Sequence, residues 1–200
     1  MDLLYEAAAA WKKLLDYRYE IVWGKKGTLH CIFLDFQACE FYHLAGFPHI
    51  KDISFPVRFP QSKMMDKVLD KTITQDMIMR SGSYEKTVRR KLMAVIRLEQ
   101  MLNNCPRVYQ FNPRKPNFYT KIEANYLLVD DENDVLFLFA AKEESGNRIY
   151  SKSAFMMDKQ DFRTNQTELK LLLFRRIHLP TGESHVLYCK PGFSLESTAV

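Results

Sequence analysis

The spacing of hydrophobic residues changes near the middle of this chain, and that change limits the folds available to it. Before residue 103 the longer segments repeat apolar residues every three or four positions, which is typical of amphipathic helices. After residue 117 apolar stretches of strand length alternate with turn residues. The segment between them, residues 103–117, is rich in Asn and Pro and is predicted to be irregular. These patterns favour an α+β fold.

The predicted elements divide between two portions of one domain spanning residues 1–200, a mainly helical portion 1–105 and a sheet portion 118–193. We expect the N-terminal helices and a hairpin to pack on a curved antiparallel sheet of about four to six strands. The helical portion comprises a helix over about residues 3–17, a hairpin of strands 19–23 and 29–36 around the glycine-bounded turn 24–27, a helical region 63–79 and a helix 84–102 with Ser83 as its N-cap. The sheet portion comprises strands 122–129, 135–142, 148–157, 169–178 and 184–189.

Composition and motifs exclude several classes of protein. No apolar run approaches the roughly 20 residues that a membrane helix needs, so we expect no membrane association. The 4 Cys form no CxxC pair, and the acidic run 130–134 lacks the spacing of a calcium loop, so we expect no metal and a reducing, cytoplasmic location. Nucleotide-phosphate, dinucleotide, zinc-protease and esterase motifs are absent, and we expect no cofactor. The net charge of +5 permits a polyanionic partner.

The segment Phe33–Phe47 carries the strongest functional signal, because an alternating strand runs into a short helical stretch that ends at Gly46. His43 lies beside that helix end, where the helix dipole favours the protonated imidazole. Glu40 precedes it by three residues and shares its helical face. Two interpretations of His43 stay open, a proton carrier active near neutral pH and a buried histidine bonded to the backbone.

The order of elements and short motifs resembles the phage-associated branch of the Barnase, EndoU, colicin and RelE (BECR) superfamily of RNase-like domains, from about Val22 to Phe193. A helix and a hairpin precede the aromatic-x-His-Leu-x-Gly sequence at residues 41–46, and a helical insert follows. Further on come Lys-Ile-x-Ala at 121–124, Tyr-x-x-Ser at 150–153, Gln166 and a leucine-rich strand. The resemblance implies a metal-independent endoribonuclease or an RNase-type toxin of a phage, another mobile element or the bacterium that carries it.

Such an enzyme needs a base for the 2′-hydroxyl, an acid for the leaving 5′-oxygen and cations around the phosphorane. His43 is the first candidate for a proton carrier. Lys121 suits the phosphorane, although it is equally interpreted as a solvated lysine at a strand edge. The resemblance implies that Ser153 donates a hydrogen bond to phosphate, while strand alternation leaves open whether Tyr150 or Ser153 faces the site. Glu123 is a second candidate for the carboxylate beside Glu40.

A polar run before the last pair of predicted strands adds further candidates. Arg163, Thr164 and Gln166 are predicted to close over a phosphate or a base edge, the alternative being a turn. Arg175 interrupts an apolar strand, which indicates either a substrate-binding residue or a covered guanidinium with a partner.

Two further functions stay open beside the nuclease. The first is a catalytically inactive module that binds RNA through basic and aromatic residues, and the second is an interaction protein of a mobile element that binds a host or immunity protein. RNA is the partner that the residues favour most.

Overall fold

Helices cover one face of a nine-stranded sheet in the computed structural model, which describes residues 2–54, 59–132, 134–144 and 146–194. The helices are α1 (Leu3–Leu14), α2 (Glu40–Leu44), α3 (Met64–Leu69), α4 (Gln75–Met79) and α5 (Arg89–Asn103), with a π-helical turn at Tyr84–Val88 leading into α5. The strands are β1 (Tyr17–Lys25), β2 (Thr28–Asp35), β3 (Arg107–Gln110), β4 (Tyr126–Asp130), β5 (Leu136–Lys142), β6 (Arg148–Met156), β7 (Thr167–Glu168), β8 (Leu171–His178) and β9 (Ser184–Cys189). The predicted α+β class and the terminal helix and hairpin are confirmed.

The strand order of the sheet is β7-β3-β4-β5-β6-β2-β1-β8-β9. The hairpin β1–β2 does not lie on the sheet but forms part of it, and this raises the number of strands above the expected four to six. The segment 103–117 was wrongly predicted to be irregular throughout, because β3 within it pairs with β4 and β7. Its flanking Asn and Pro residues hid a short run of strand-forming residues.

The two halves of the sheet meet at one short parallel pairing. Residues 33–35 of β2 pair with residues 148–150 of β6, and the other ladders are antiparallel within the described residues. Residues 151–156 of β6 pair with β5 on one side only, as far as the described ladders extend. Helices α2 and α5 pack against β6 beyond the parallel pairing. The chain therefore leaves β2 at Asp35 next to the part of β6 whose second edge is not paired with a described strand, and side chains can approach that edge.

The helical face of the sheet carries the larger core. Helix α1 buries Leu4, Ala7, Ala8, Trp11 and Leu14, which follow the helical spacing of the sequence, and the Asp2 side chain caps its N-terminus by accepting from Tyr5 N at 3.0 Å. Alternate residues of β5 enter this core through Leu136, Leu138 and Ala140. Burial of such side chains, at about 25 cal/mol per Å² of apolar area, fixes the helices on the sheet.

An aromatic cluster covers the opposite face of β4 and β5. Phe137 and Phe139 alternate with the residues of the first core and pack there with Tyr109, Phe111 and Phe162. The chain segments 111–125 and 157–166 close over this cluster. The rings of Phe118 and Phe162 pack edge to face there, with their centroids 4.9 Å apart. The cluster holds two connecting segments against the sheet, and one of them carries Lys121.

Across the described ranges, no helix combines the length and the hydropathy that crossing a membrane requires.

Candidate active site

A cleft of about 610 Å³ opens where the chain leaves β2 and forms α2 beside β6. We call it the α2 cleft. It brings together five separate segments of the chain, namely α2 with its approach, the turn before α3, the connection before β4, the residue after β5 and the middle of β6. Its lining residues are Gln37, Cys39, Glu40, His43, Gln61, Lys121, Ile122, Glu123, Glu143, Tyr150, Ser151, Lys152 and Ser153.

The approach to α2 is fixed by the residues around Asp35. The buried Asp35 carboxylate accepts hydrogen bonds from Arg18 Nε on β1 at 2.6 Å and from Arg148 Nε on β6 at 2.6 Å. Two residues later, the Gln37 carbonyl accepts a hydrogen bond from Trp11 Nε1 at 3.1 Å. These charge-assisted and buried bonds define where α2 begins.

Gly46 ends the α2 segment as the sequence predicts. Its φ of 86° lies in the left-handed region, which residues with a Cβ rarely adopt. A Cβ at this position would also lie 3.1 Å from Lys91 Cδ and 3.4 Å from Val88 Cα. The glycine therefore both turns the chain and lets the stem of Lys91 pass close to α2.

Glu40 is a buried carboxyl group at the first position of α2, with 7% of its surface exposed. Within the described residues, neither carboxyl oxygen meets the geometry of a hydrogen bond, and the Ser151 hydroxyl beside it is likewise buried and without a partner. Burial raises the pKa of Glu40 to about 8, and the nearby Ser151 groups act in the opposite direction without reversing the shift. The carboxyl group is consequently protonated at neutral pH.

His43 lies one helical turn after Glu40, and its side chain is exposed. Partial burial, Lys152 and Lys91 lower its pKa, while a hydrogen bond with Gln61 acts in the opposite direction. The expectation that the helix dipole would favour the protonated form was wrong, because partial burial and the lysine charges oppose protonation and α2 has only 5 residues. The alternative of a buried histidine bonded to the backbone does not fit its exposure either. His43 is an exposed imidazole on the cleft wall, and its pKa is lowered by partial burial and by the two lysines.

The middle of β6 departs from simple alternation. Ala140 of β5 pairs with Ser151 and Phe139 pairs with Ser153, so Lys152 is an additional residue in a β-bulge. The bulge and the open edge of β6 allow residues 150–153 all to line the α2 cleft. The expectation that only one face of this strand reaches the site was therefore wrong, and Tyr150 and Ser153 are both present. Lys152 Nζ lies 5.3 Å from the centre of the Tyr150 ring.

Lys121 lies on the connection before β4, not on a strand, because β4 begins only at Tyr126. Ile122 packs partly against the aromatic cluster, and Asn125 N donates to Ala140 O at 2.9 Å. These contacts hold the connection over the sheet, so that the exposed side chains of Lys121 and Glu123 line the α2 cleft.

Lys91 of α5 was not anticipated as a site residue. Its ammonium group is buried, donates a hydrogen bond to Ser153 Oγ at 2.9 Å and lies 5.8 Å from the centre of the Phe155 ring. Burial lowers the pKa of Lys91 to about 8. Because the charged lysine can only donate, it occupies a lone pair of Ser153 and leaves the hydroxyl hydrogen to point elsewhere.

Arg163, Thr164 and Gln166 lie away from the α2 cleft. The Gln166 side chain accepts from Asn112 N at 2.9 Å and donates to Asn112 O at 3.1 Å, which ties two connecting segments together. Arg163 pairs with Asp161 at 2.9 Å and with Asp131 at 3.1 Å. Thr164 belongs to a turn, the alternative that the sequence had left open.

Arg175 is also engaged elsewhere. On β8 its Nε donates to the buried Glu20 of the neighbouring strand β1 at 2.6 Å. This is the covered guanidinium with a partner that the sequence left as an alternative to a binding role. Four of the eight predicted site residues thus meet in the α2 cleft, namely His43, Lys121, Tyr150 and Ser153.

The groups that line the cleft suit proton transfer. It combines the Glu40 carboxyl group, the His43 imidazole, hydroxyl groups and the ammonium groups of Lys121 and Lys152, whose charges the acidic side chains of Glu123 and Glu143 offset. In the described part of the chain, no three or more His, Cys, Asp or Glu side chains lie together in an arrangement suited to a metal ion.

Comparison with known proteins agrees with this architecture. The family model described as phage-Barnase-EndoU-ColicinE5/D-RelE like nuclease 4 matches residues 3–191, and this confirms the resemblance found in the sequence. No curated protein and no solved structure shows a significant match. Since the family match extends over nearly the whole chain, this protein belongs to the phage-Barnase-EndoU-ColicinE5/D-RelE like nuclease 4 family.

Proposed function

We propose that this protein is a metal-independent endoribonuclease that cleaves RNA through attack of a 2′-hydroxyl on the adjacent phosphate. Membership of a nuclease family supports a nucleic acid substrate. The α2 cleft supplies proton carriers and cations, which are the groups this reaction needs. The products are a 2′,3′-cyclic phosphate and a 5′-hydroxyl.

The observation that carries the proposal is the pair Glu40 and His43 on one turn of α2. Their environments move their pKa values in opposite directions, upward for the buried carboxyl group and downward for the imidazole beside the lysines. At neutral pH one group therefore holds a proton and the other can accept one. Two neighbouring titratable groups whose pKa values are shifted in opposite directions are characteristic of an acid and a base that act in the same reaction.

The proton transfers follow from these states. Neutral His43 removes the proton from the 2′-hydroxyl, and the oxygen attacks the phosphorus while the bond to the 5′-oxygen breaks. Glu40 lines the cleft but its carboxyl oxygens are buried, so its side chain turns toward the cleft to donate its proton to that leaving oxygen. A base and an acid positioned in this way each contribute roughly 10²–10⁴-fold to the rate.

Cationic and hydroxyl groups of the cleft stabilise the phosphorane. Lys121 and Lys152 are exposed in the cleft and free to approach the non-bridging oxygens. Ser153 donates its hydroxyl hydrogen to one of these oxygens, since Lys91 already donates to the Ser153 oxygen. Groups that are in place before the charge develops stabilise a transition state most strongly.

The biological setting belongs to the same proposal. The phage association in the family description supports an enzyme of a phage or mobile element that acts on RNA in the bacterial cytoplasm, as an RNase-type toxin. An immunity protein or a host protein that covers the α2 cleft would control such an activity.

The test is incubation of the purified protein with a mixed RNA pool in EDTA, followed by analysis of the fragment ends. We expect cyclic-phosphate ends from the wild type, and a loss of about 10²–10⁴-fold in His43→Ala and in Glu40→Gln. His185→Ala, which changes an exposed histidine of β9, serves as the matched control. Equal cleavage of the all-deoxy sequence would contradict 2′-hydroxyl attack, and a requirement for added Mg²⁺ would contradict metal independence.

RNA that stays intact with the wild type but binds to it would favour the inactive binding module over the enzyme. Binding is measured in the same samples by electrophoretic retardation, so that the two functions are separated in one experiment.

A further inference from the structure

A second cleft of about 570 Å³ adjoins the α2 cleft on the other side of a shared wall. We call it the lysine cleft. Lys121, Ile122 and Ser153 line both clefts, so one continuous surface leads from the proposed scissile position into the lysine cleft.

The lysine cleft has a strong excess of positive charge. Five cationic residues line it against the single carboxylate of Asp158; they are Lys86, Arg90, Lys91, Lys121 and Lys159. Asp158 is engaged by Arg90 Nη1 at 3.0 Å. Lys86 and Lys159 are exposed, and neither forms an ion pair with another described residue. Their charges are available to a ligand.

Apolar groups form the floor of the same cleft. Ile122, Phe155 and Phe162 line it. Phe155 stacks on Phe139 with a centroid distance of 5.5 Å and stays half-buried. Ammonium groups above an apolar, partly aromatic floor match a chain of nucleotides, whose phosphates are anionic and whose bases have flat apolar faces. A duplex hides those faces within its stack.

We propose that the lysine cleft binds the single-stranded segment of RNA that flanks the scissile phosphate. This inference rests on the proposed function, since it extends the same substrate from one cleft into the next. Lys86 and Lys159 contact backbone phosphates, and an unpaired base lies against Phe155. The nuclease consequently requires a single-stranded stretch longer than the two nucleotides that the reaction itself involves.

The test measures the affinity for a non-cleavable 2′-O-methyl RNA of about 12 nucleotides, a length within the usual site sizes of single-strand binding proteins. Fluorescence anisotropy over a range of KCl concentrations compares the wild type with Lys86→Gln/Lys159→Gln. The matched control is Lys12→Gln/Lys13→Gln, which removes the same charge from the exposed end of α1. All four positions are exposed, so the two variants retain the core.

We expect the cleft variant to reduce the slope of log K against log salt by about 1.4, because each contact with a single strand contributes about 0.7. The electrostatic part of the affinity vanishes at about 1 M salt, where the variant and the wild type should bind equally. At about 0.1 M salt the variant should therefore bind about 25-fold more weakly than the wild type. Equal affinity of the cleft and control variants would overturn the inference. So would wild-type affinity for the corresponding duplex that equals its affinity for the single strand.

The binding measurement is independent of cleavage, so the two proposals can fail separately. Normal cleavage together with unchanged affinity of the cleft variant would overturn only the lysine cleft. Lost affinity of that variant together with no cleavage by the wild type would support the lysine cleft and overturn the proposed enzyme.

Discussion

The ammonium group of Lys91 donates a hydrogen bond to the hydroxyl oxygen of Ser153 at 2.9 Å, and this bond joins α5 to the bulged strand β6. Ser153 belongs to both clefts, while Lys91 stands behind it in the buried wall. The pair places a positive charge directly behind a hydroxyl group that faces a proposed phosphate position. A buried charge of this kind weakens the fold and is better explained by a role in anion binding than by stability.

Lys91→Met is expected to stabilise the protein while lowering its activity. The pKa of Lys91 is about 8 in the folded protein against an ordinary 10.5, so the buried charge costs up to about 3 kcal/mol below pH 8. Methionine fills a similar volume without the charge. We expect a gain of roughly 1–3 kcal/mol in the free energy of unfolding at pH 7 by urea titration. RNA cleavage should fall by less than the roughly 10²-fold that removal of a direct donor to a transition-state oxyanion costs, because Lys91 acts through the Ser153 hydroxyl.

The pH dependence of stability checks the same assignment. Between pH 8 and 10.5 the unfolded chain holds the Lys91 proton that the folded protein has lost, so wild-type stability rises with pH relative to Lys91→Met. The advantage of the variant should disappear above about pH 10.5, whereas Lys12→Met, at an exposed position, should show no such trend. A variant that is less stable at pH 7 would show that the ammonium group stabilises the fold.

The rate of RNA cleavage is expected to follow a bell-shaped pH profile. The rising limb reports His43, whose pKa is lowered from 6.5, and the falling limb near pH 8 reports the loss of the Glu40 proton. Glu40→Gln should be slow and lose the falling limb. Since the pKa of Lys91 is also about 8, the profile of Lys91→Met is the necessary comparison, and it should retain that limb. A falling limb that vanishes in Lys91→Met alone would assign it to the lysine.

Much of the fold follows from local sequence patterns. The spacing of Leu4, Ala7 and Trp11 predicts α1, and the glycine-bounded turn 24–27 predicts the hairpin. The parallel pairing of β2 with β6 was not predictable, because it joins residues 115 positions apart through three pairs and leaves no mark on the local pattern. Strand β3 was not predictable either, because its four residues lie between Asn-rich and Pro-rich stretches and are too few to show a strand pattern.

The site was predictable only where a motif had a recognisable order. His43, Lys121, Tyr150 and Ser153 belong to the short motifs on which the resemblance was based, and they do meet in the α2 cleft. Lys91 was hidden in a basic helix, among lysines and arginines that are at least partly exposed to solvent. One sequence signal did indicate its burial. Lys91 lies three positions after Val88 and four before Val95, next to Leu92, and this spacing places it on the apolar face of the helix.

Glu40→Gln is expected to stabilise the folded protein at alkaline pH. The folded-state pKa of about 8 exceeds the ordinary 4.5, so the folded protein holds the proton more tightly and wild-type stability falls as pH rises from 4.5 to 8. Glutamine has the shape of the neutral acid and does not ionise. The difference in unfolding free energy should be near zero at pH 4 and grow to as much as about 5 kcal/mol at pH 9. Glu123→Gln, at an exposed position of the same cleft, is the control and should show little dependence.

Asp35→Asn is expected to weaken both the fold and the α2 cleft. The carboxylate holds Arg18 of β1 and Arg148 of β6 at the parallel junction, and its loss leaves two guanidinium groups without their anion. Breaking a buried pair costs about 3–5 kcal/mol, and the partly exposed arginines reduce this to roughly 2–4 kcal/mol.

The matched control for that substitution is Glu85→Gln, which removes the exposed pair with Arg89 and should cost less than about 1 kcal/mol. Asp35 lies five residues before Glu40 and outside the lining of the α2 cleft, so it acts on cleavage through the position of α2 and through its charge, which helps to raise the pKa of Glu40. We therefore expect kcat of Asp35→Asn to fall and the falling limb of the pH profile to move toward lower pH, measured where the variant is fully folded. A cleavage rate equal to that of the wild type would show that α2 keeps its position without the junction, and would leave Trp11 and its bond to the Gln37 carbonyl as the contact that places the acid and the base.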